Sequence, residues 1–322
     1  MKLRLLLICL VAIAGLSAQA QADKKWKHDI VVAQDGSGDY TNITDALEGI
    51  RAYMDYNVTV NIKNGTYKEK IVIPSWLKNV TFIGENPDST IITFDHHANI
   101  NNMGTFRTYT VKVEGSNITF RDLTIENNAP QLGQAVALHT EGDKLQFYNC
   151  RLLGNQDTIF TGGKNMRLYF GNCYIEGTTD FIFGPATAYF KDCTIHSKRN
   201  SYITAASTPE DVKVGYVFDN CKLTAAPDVD KVYLGRPWRP YAHTAFINCE
   251  MGSHIRGEGW HNWRNPENEK TARYCEYGST GPGAQSGERV AWSKQLTKDE
   301  AKALLDINNV FTQHSTWAPS GK

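Results

Sequence analysis

The chain has 322 residues, of which 41% are hydrophobic and 21% charged, so it is not a disordered chain and is long enough to bury a large core. Lys plus Arg and Asp plus Glu each number 34, and a formal charge of zero argues against a general nucleic-acid binder, which needs a basic excess to neutralise phosphates. Val, Ile, Thr, Tyr and Phe outweigh Leu, and Asn-rich turns are frequent, which leans towards β-structure.

Residues 1–22 carry Lys2 and Arg4, an apolar run from Leu5 to Leu16, and small residues at Ala18, Ala20 and Ala22. The run is short for a membrane span, and the pattern is that of a cleaved export signal. No later segment approaches 18 uninterrupted apolar residues, so the expectation is one exported domain, 23–322, without a membrane span. Thr41 to Tyr53 places Ile43, Ala46, Leu47 and Ile50 at helical spacing, which predicts a helix able to cover an N-terminal edge.

From residue 118 onward a repeat dominates. Ile118-Thr-Phe-Arg-Asp-Leu-Thr-Ile125 returns as Leu145-Gln-Phe-Tyr-Asn-Cys-Arg-Leu152, Leu168-Tyr-Phe-Gly-Asn-Cys-Tyr-Ile175, Ala188-Tyr-Phe-Lys-Asp-Cys-Thr-Ile195 and Tyr216-Val-Phe-Asp-Asn-Cys-Lys-Leu223. Each unit is a short strand, an Asn or Asp turn, and a second strand. A period of 20 to 28 residues with no helix between units predicts a parallel β-helix, one coil per repeat. Cys150, Cys173, Cys193, Cys221 and Cys249 share one place in that frame, so they are read as a column of buried free thiols rather than bridges. At the far end, Leu296 to Val310 predicts a second covering helix. Thr297 with Glu300 forms its capping box, and Ala301, Leu304, Leu305 and Ile307 form its apolar face.

Spacing then becomes a geometric tool, because residues one period apart stack on one face. Asp157 and Asp180 are 23 residues apart, as are Cys150 and Cys173, so the two carboxylates belong on adjacent coils with backbones roughly 5 Å apart. Gln134 precedes Gln156 by 22 residues and brings an amide to the same face. Stacked carboxylates repel, which favours protonation of one, and an acid paired with a nucleophile needs such divergence. A turn ladder that only bonds the backbone is the competing reading. The apolar residues after each Asp, Ile159-Phe160 and Phe181-Ile182-Phe183, favour a water-poor pocket, with Phe181 counted among its substrate contacts. Arg236, between Gly235 and Pro237, offers a guanidinium for a two-pronged carboxylate contact, and Trp238 offers a flat face for a sugar ring. No CxxC or HxxxH pair suggests a metal, and none is expected.

At these residues the chain resembles the pectin methylesterases, carbohydrate esterases with a right-handed parallel β-helix. The resemblance rests on Gly133-Gln-Ala-Val-Ala-Leu138, Gln156-Asp-Thr158, Gly177-Thr-Thr-Asp-Phe-Ile-Phe-Gly184 and Leu234-Gly-Arg-Pro-Trp238, with weaker support from Gly259-Trp-His-Asn-Trp263, and it spans about residues 30–311. Thr179 departs from the family's usual Val and Ile159 from a common Leu; neither removes a reacting group. The resemblance implies that Asp180 attacks the methyl ester carbonyl of a galacturonate unit and forms an acyl-enzyme. Asp157 would donate to methanol and then activate water. Gln134 and Gln156 would hold the oxyanion, and Arg236 would orient Asp180. Thr105, Gln134, Arg236, Trp238 and Trp260 would contact substrate. It implies methyl-esterified pectin as partner, no cofactor, and a monomer. A pectin-backbone hydrolase or lyase, and a non-catalytic polysaccharide-binding solenoid, are the alternatives.

Overall fold

A computed structural model describes residues 26–312 and 316–320; the expected export segment, 1–22, lies outside the described residues. Three parallel sheets of eleven, seven and eight strands, here I, II and III, run side by side along one axis. Each coil visits II, I and III in turn, as in 111–113, 116–121 and 124–127, then 138–140, 145–148 and 151–153. Every pairing between strands is to the coil before or after, and the architecture is a right-handed parallel β-helix.

The Phe of the repeat explains the register. Phe82, Phe120, Phe147, Phe170, Phe190, Phe218 and Phe246 point inward from sheet I and stack ring on ring, with centroids 4.4 to 5.2 Å apart. Each ring is fully buried, contributing roughly 2–3 kcal/mol by burial. A slip by one residue would turn this column outward, so the stack fixes the pairing.

The Asn/Asp-Cys frame is the turn from sheet I to sheet III. Asp122, Asn149, Asn172, Asp192, Asn220 and Asn248 all adopt φ between 49° and 55°, a left-handed conformation that Asn and Asp tolerate best among side-chain-bearing residues. Their side chains bond one another across coils, as where Asn149 donates to Asp122 at 2.6 Å and Asn220 to Asp192 at 2.6 Å. All six cysteines in the described residues are free and buried. Cys173, Cys193, Cys221 and Cys249 each donate to the carbonyl of a column phenylalanine one coil back, at 3.4 to 3.5 Å. Burial pushes the thiols of Cys150, Cys193 and Cys249 up, which keeps them protonated.

The first helix is shorter than its sequence pattern, Ile43–Glu48, capped by Asn42 and ended at Gly49. The C-terminal helix is two, Lys298–Leu305 and Ile307–Phe311, because Asp306 leaves the helical conformation and its side chain caps the second. The Thr297–Glu300 capping box is formed. Both helices lie along the outer face of sheet I. Ala301, Val310 and Phe311 pack there with Tyr189, Val217, Ala245, Ile247 and Cys275, so Cys275 stands apart from the thiol column. No helix among the described residues is long and apolar enough to cross a membrane.

Candidate active site

The loops from sheet III to sheet II deliver Gln134, Gln156, Asp157 and Asp180, and Arg236 directly follows the sheet II strand Tyr233–Gly235. Asp157 and Asp180 each take left-handed φ, 65° and 49°, just before a sheet II strand. The Asp157 amide donates to the Thr179 carbonyl at 3.1 Å and the Ile159 amide to that of Phe181 at 2.9 Å, which puts Asp157 opposite Asp180. One coil back, the Ala135 amide donates to the Gln156 carbonyl at 3.0 Å, which aligns Gln134 with Gln156. Between these two coils the offset falls from 22 at Gln134 and Gln156 to 21 at Leu138 and Ile159, where Ala137 and Leu138 both donate to the Thr158 carbonyl.

These groups meet in a cleft of about 300 Å³ lined by Thr105, Gln134, Gln156, Asp157, Asp180 and Arg236 on its polar side. Phe106, Phe183, Ala205, Trp238 and Trp263 form the apolar side. A larger groove of about 560 Å³, at Trp26, Glu48, Lys70 and Trp76, has no comparable pair of stacked carboxylates.

Arg236 donates from Nε to Asp180 Oδ1 at 2.9 Å and from Nη2 to Oδ2 at 2.6 Å. Gly235 permits this approach, because a Cβ there would lie 2.0 Å from the Thr204 hydroxyl. Burial raises Asp180, and the hydrogen bonds and charge of Arg236 pull it back. Asp157 is pushed well above the carboxylate range, first by burial and then by the charge of Asp180, with Arg236 and a bond from Gln156 opposing weakly. Both are almost fully buried, at 8% and 6% exposure, so these forces act in a dry setting. Both carboxyls stay raised, Asp157 much the further, so Asp157 is the one that holds a proton more readily and Asp180 the one that Arg236 favours as a carboxylate.

Two expected substrate contacts lie elsewhere. Phe181 is fully buried in the interior core, wedged so close to Gly177 that a Cβ there would meet it at 2.2 Å. Trp260 is 1% exposed and extends the phenylalanine column: its ring lies 5.9 Å from Phe246 and 4.2 Å from Tyr274, and its indole donates to Glu276. Phe183 and Trp263 occupy the cleft instead. Phe183 pairs with Phe160 one coil back, a 23-residue repeat that tracks the two aspartates and was available in the sequence. For Trp263, three residues after Trp260 in an irregular segment, spacing carries no signal. Phe106 and Ala205 were likewise missed; Phe106 packs edge-on against Phe160 at 4.9 Å. Among the described residues, no group of three or more His, Cys, Asp or Glu is placed to hold a metal ion.

Two buried carboxyls of unequal proton affinity on one solenoid wall, beside amide groups and flat rings, are a set of groups suited to acid–base and nucleophilic chemistry. A family model described as pectinesterase matches residues 29–313. The chain is 40% identical over 281 residues to Pectinesterase 31 of Arabidopsis thaliana, covering 84% of this chain and 88% of that protein. Other relatives, whose names join pectinesterase with pectinesterase inhibitor, are longer, and the chain spans 56% of one from Arabidopsis thaliana and 58% of one from Prunus persica. Pectin methylesterase from carrot superposes with a TM-score of 0.82 and 33% identity, over 88% of this chain and 92% of that one. A pectin methylesterase solved in complex with a hexasaccharide gives 0.78 and 26%, over 91% and 99%. The chain belongs to the pectinesterase family of carboxylic ester hydrolases.

Proposed function

We propose that this protein hydrolyses the methyl esters of galacturonate units in pectin through an aspartyl acyl-enzyme. The observation that carries the reading is the asymmetry of the pair: Asp180 is gripped twice by Arg236, while Asp157, among the described residues, has a bond from Gln156 and no ion pair. An ionised Asp180 oxygen attacks the ester carbonyl carbon. The negative charge moves to the carbonyl oxygen, where the Gln134 and Gln156 amides stabilise it. As the tetrahedral intermediate collapses, the bond to the methoxy oxygen breaks and Asp157 gives that oxygen its proton, releasing methanol. An anhydride joins Asp180 to the sugar. Asp157, now a carboxylate, takes a proton from water, whose oxygen attacks the substrate-derived carbonyl of the anhydride. Asp180 leaves as carboxylate, the free uronic acid departs, and Asp157 is again protonated.

Trp238 and Phe183, edge to face at 5.8 Å, offer apolar surface to the sugar rings, and Thr105 and Gln134 offer polar contacts. Residues 1–22 would export the chain, and 23–322 would act as one catalytic unit and as a monomer. The test is to assay methanol and reducing ends together on methylated pectin. Methanol without new reducing ends is expected. New reducing ends without methanol would instead mean backbone hydrolysis, and an unsaturated product a lyase.

A further inference from the structure

Arg236 uses one edge of its guanidinium on Asp180, and both its faces are also occupied. The guanidinium carbon lies 3.9 Å from the ring centroid of Tyr202 on one side and 3.7 Å from that of Trp263 on the other. The two rings attract the cation, shield it in part from water, and restrict the orientation of its plane.

Each ring is itself held. Tyr202 opens the strand Tyr202–Ala206, and its carbonyl accepts from the Asp180 amide at 2.8 Å. Its ring is backed by Tyr233 at 5.3 Å and His261 at 5.4 Å. Trp263 and Arg264 follow one another at φ 60° and 56°, a left-handed pair that bulky residues adopt only when held. The Trp263 amide donates to His261 Nδ1 at 3.0 Å and the Arg264 amide to Asn262 Oδ1 at 2.9 Å. His261 accepts only while Nδ1 is unprotonated. Burial and the charges of Arg236, Arg264 and Arg256 hold its pKa down.

We propose that Tyr202 and Trp263 form a slot that fixes the plane of Arg236 edge-on to Asp180, making both of them positioning residues for the reaction. This rests on the reading of Asp180 as nucleophile. Trp263 also lines the cleft, so its removal would disturb substrate directly. Tyr202 is not among the residues lining the cleft, so its ring, as distinct from its carbonyl, reaches the reaction through Arg236. Loosening the slot lets the guanidinium tilt and weakens its hold on the ionised carboxylate. The pKa of Asp180 then rises, and the acid limb of the rate profile moves to higher pH.

The experiment measures methanol release against pH for the full chain and for Tyr202→Leu, Tyr202→Phe and Trp263→Leu, with thermal melts of each. For Tyr202→Leu the expected result is a turnover number about tenfold lower, KM within about twofold, and an acid limb raised by about 0.5–1 pH unit. Tyr202→Phe, which keeps the ring, should return the limb to its wild-type position. A role in packing alone would lower the melting temperature and leave the limb in place, and that result overturns the slot. If Tyr202→Leu fails to fold, Trp263→Leu must raise the limb, and an unmoved limb there is equally fatal. A wild-type chain that releases no methanol removes the nucleophile reading, and the slot with it. An active wild type with unmoved limbs removes the slot alone.

Discussion

Replacing Arg236 by Lys keeps the charge and removes the planar fork. In the structure the fork makes two charge-assisted bonds, at 2.9 and 2.6 Å, to a carboxylate 6% exposed to solvent. A lysine ammonium retains one of them. A hydrogen bond to a charged group contributes about 1.5–3 kcal/mol, and here it stabilises only the ionised form of Asp180. Dividing by about 1.4 kcal/mol per pKa unit gives a rise of about 1–2 units. The sign follows from the attack, which needs the carboxylate: activity is present above the pKa of Asp180 and lost as pH falls through it. A raised pKa therefore moves the acid limb up. On the plateau the turnover number should still fall about tenfold or more, because the attacking oxygen is no longer aimed. Methanol release between pH 4 and 8 for both proteins is the assay. An acid limb in its original place, with turnover changed less than threefold, would refute the coupling of Arg236 to the nucleophile.

Asp157→Asn and Asp180→Asn should each lower methanol release by about a thousandfold or more with thermal melts preserved, and only Asp157→Asn should allow an acyl-enzyme to be trapped by mass spectrometry. Trp238→Ala should raise KM more than it lowers turnover. Trp260→Leu should do the reverse of a cleft mutation, costing about 2–4 kcal/mol in denaturant unfolding while KM stays near wild type. Thiol titration of the denatured, unreduced chain 23–322 should find six free cysteines; a count near zero would mean that they are bridged in the protein.

What the sequence made legible is what repeats. The left-handed turn selects Asn or Asp once per coil, the inward phenylalanine stands two residues before it, and the two aspartates keep that period. Arg236 was legible for another reason, its place between Gly235 and Pro237 in an irregular segment. Periodicity does not say which side of a strand faces the cleft where the chain turns a corner. Phe181 follows the left-handed Asp180 and points into the interior, and Phe183 faces out. Trp260 and Trp263 divide in the same way, one extending the interior column and the other taking a left-handed backbone at the cleft. The C-terminal helix was visible from its capping box. Its break at Asp306 was not, because the Asp306 cap interrupts an otherwise continuous apolar face. Nor does an apolar face name the surface it will cover, here the outward residues of sheet I.

The column of stacked rings also sets the order in which the molecule comes apart. Apart from the C-terminal segment laid along sheet I, a coil touches only the coils beside it, so opening from the N-terminal end travels inward one layer at a time. The strands that follow Asp157 and Asp180 in their coils, Arg167–Gly171 and Thr187–Lys191, are the sixth and seventh of the eleven in sheet I. The N-terminal coils can therefore fray and re-form many times without the carboxylate pair losing its spacing, while the C-terminal segment is tied to those two strands, its Phe311 and Leu305 carbonyls accepting from Arg167 and Tyr189. The backbone amides around the pair should be the last to exchange with solvent.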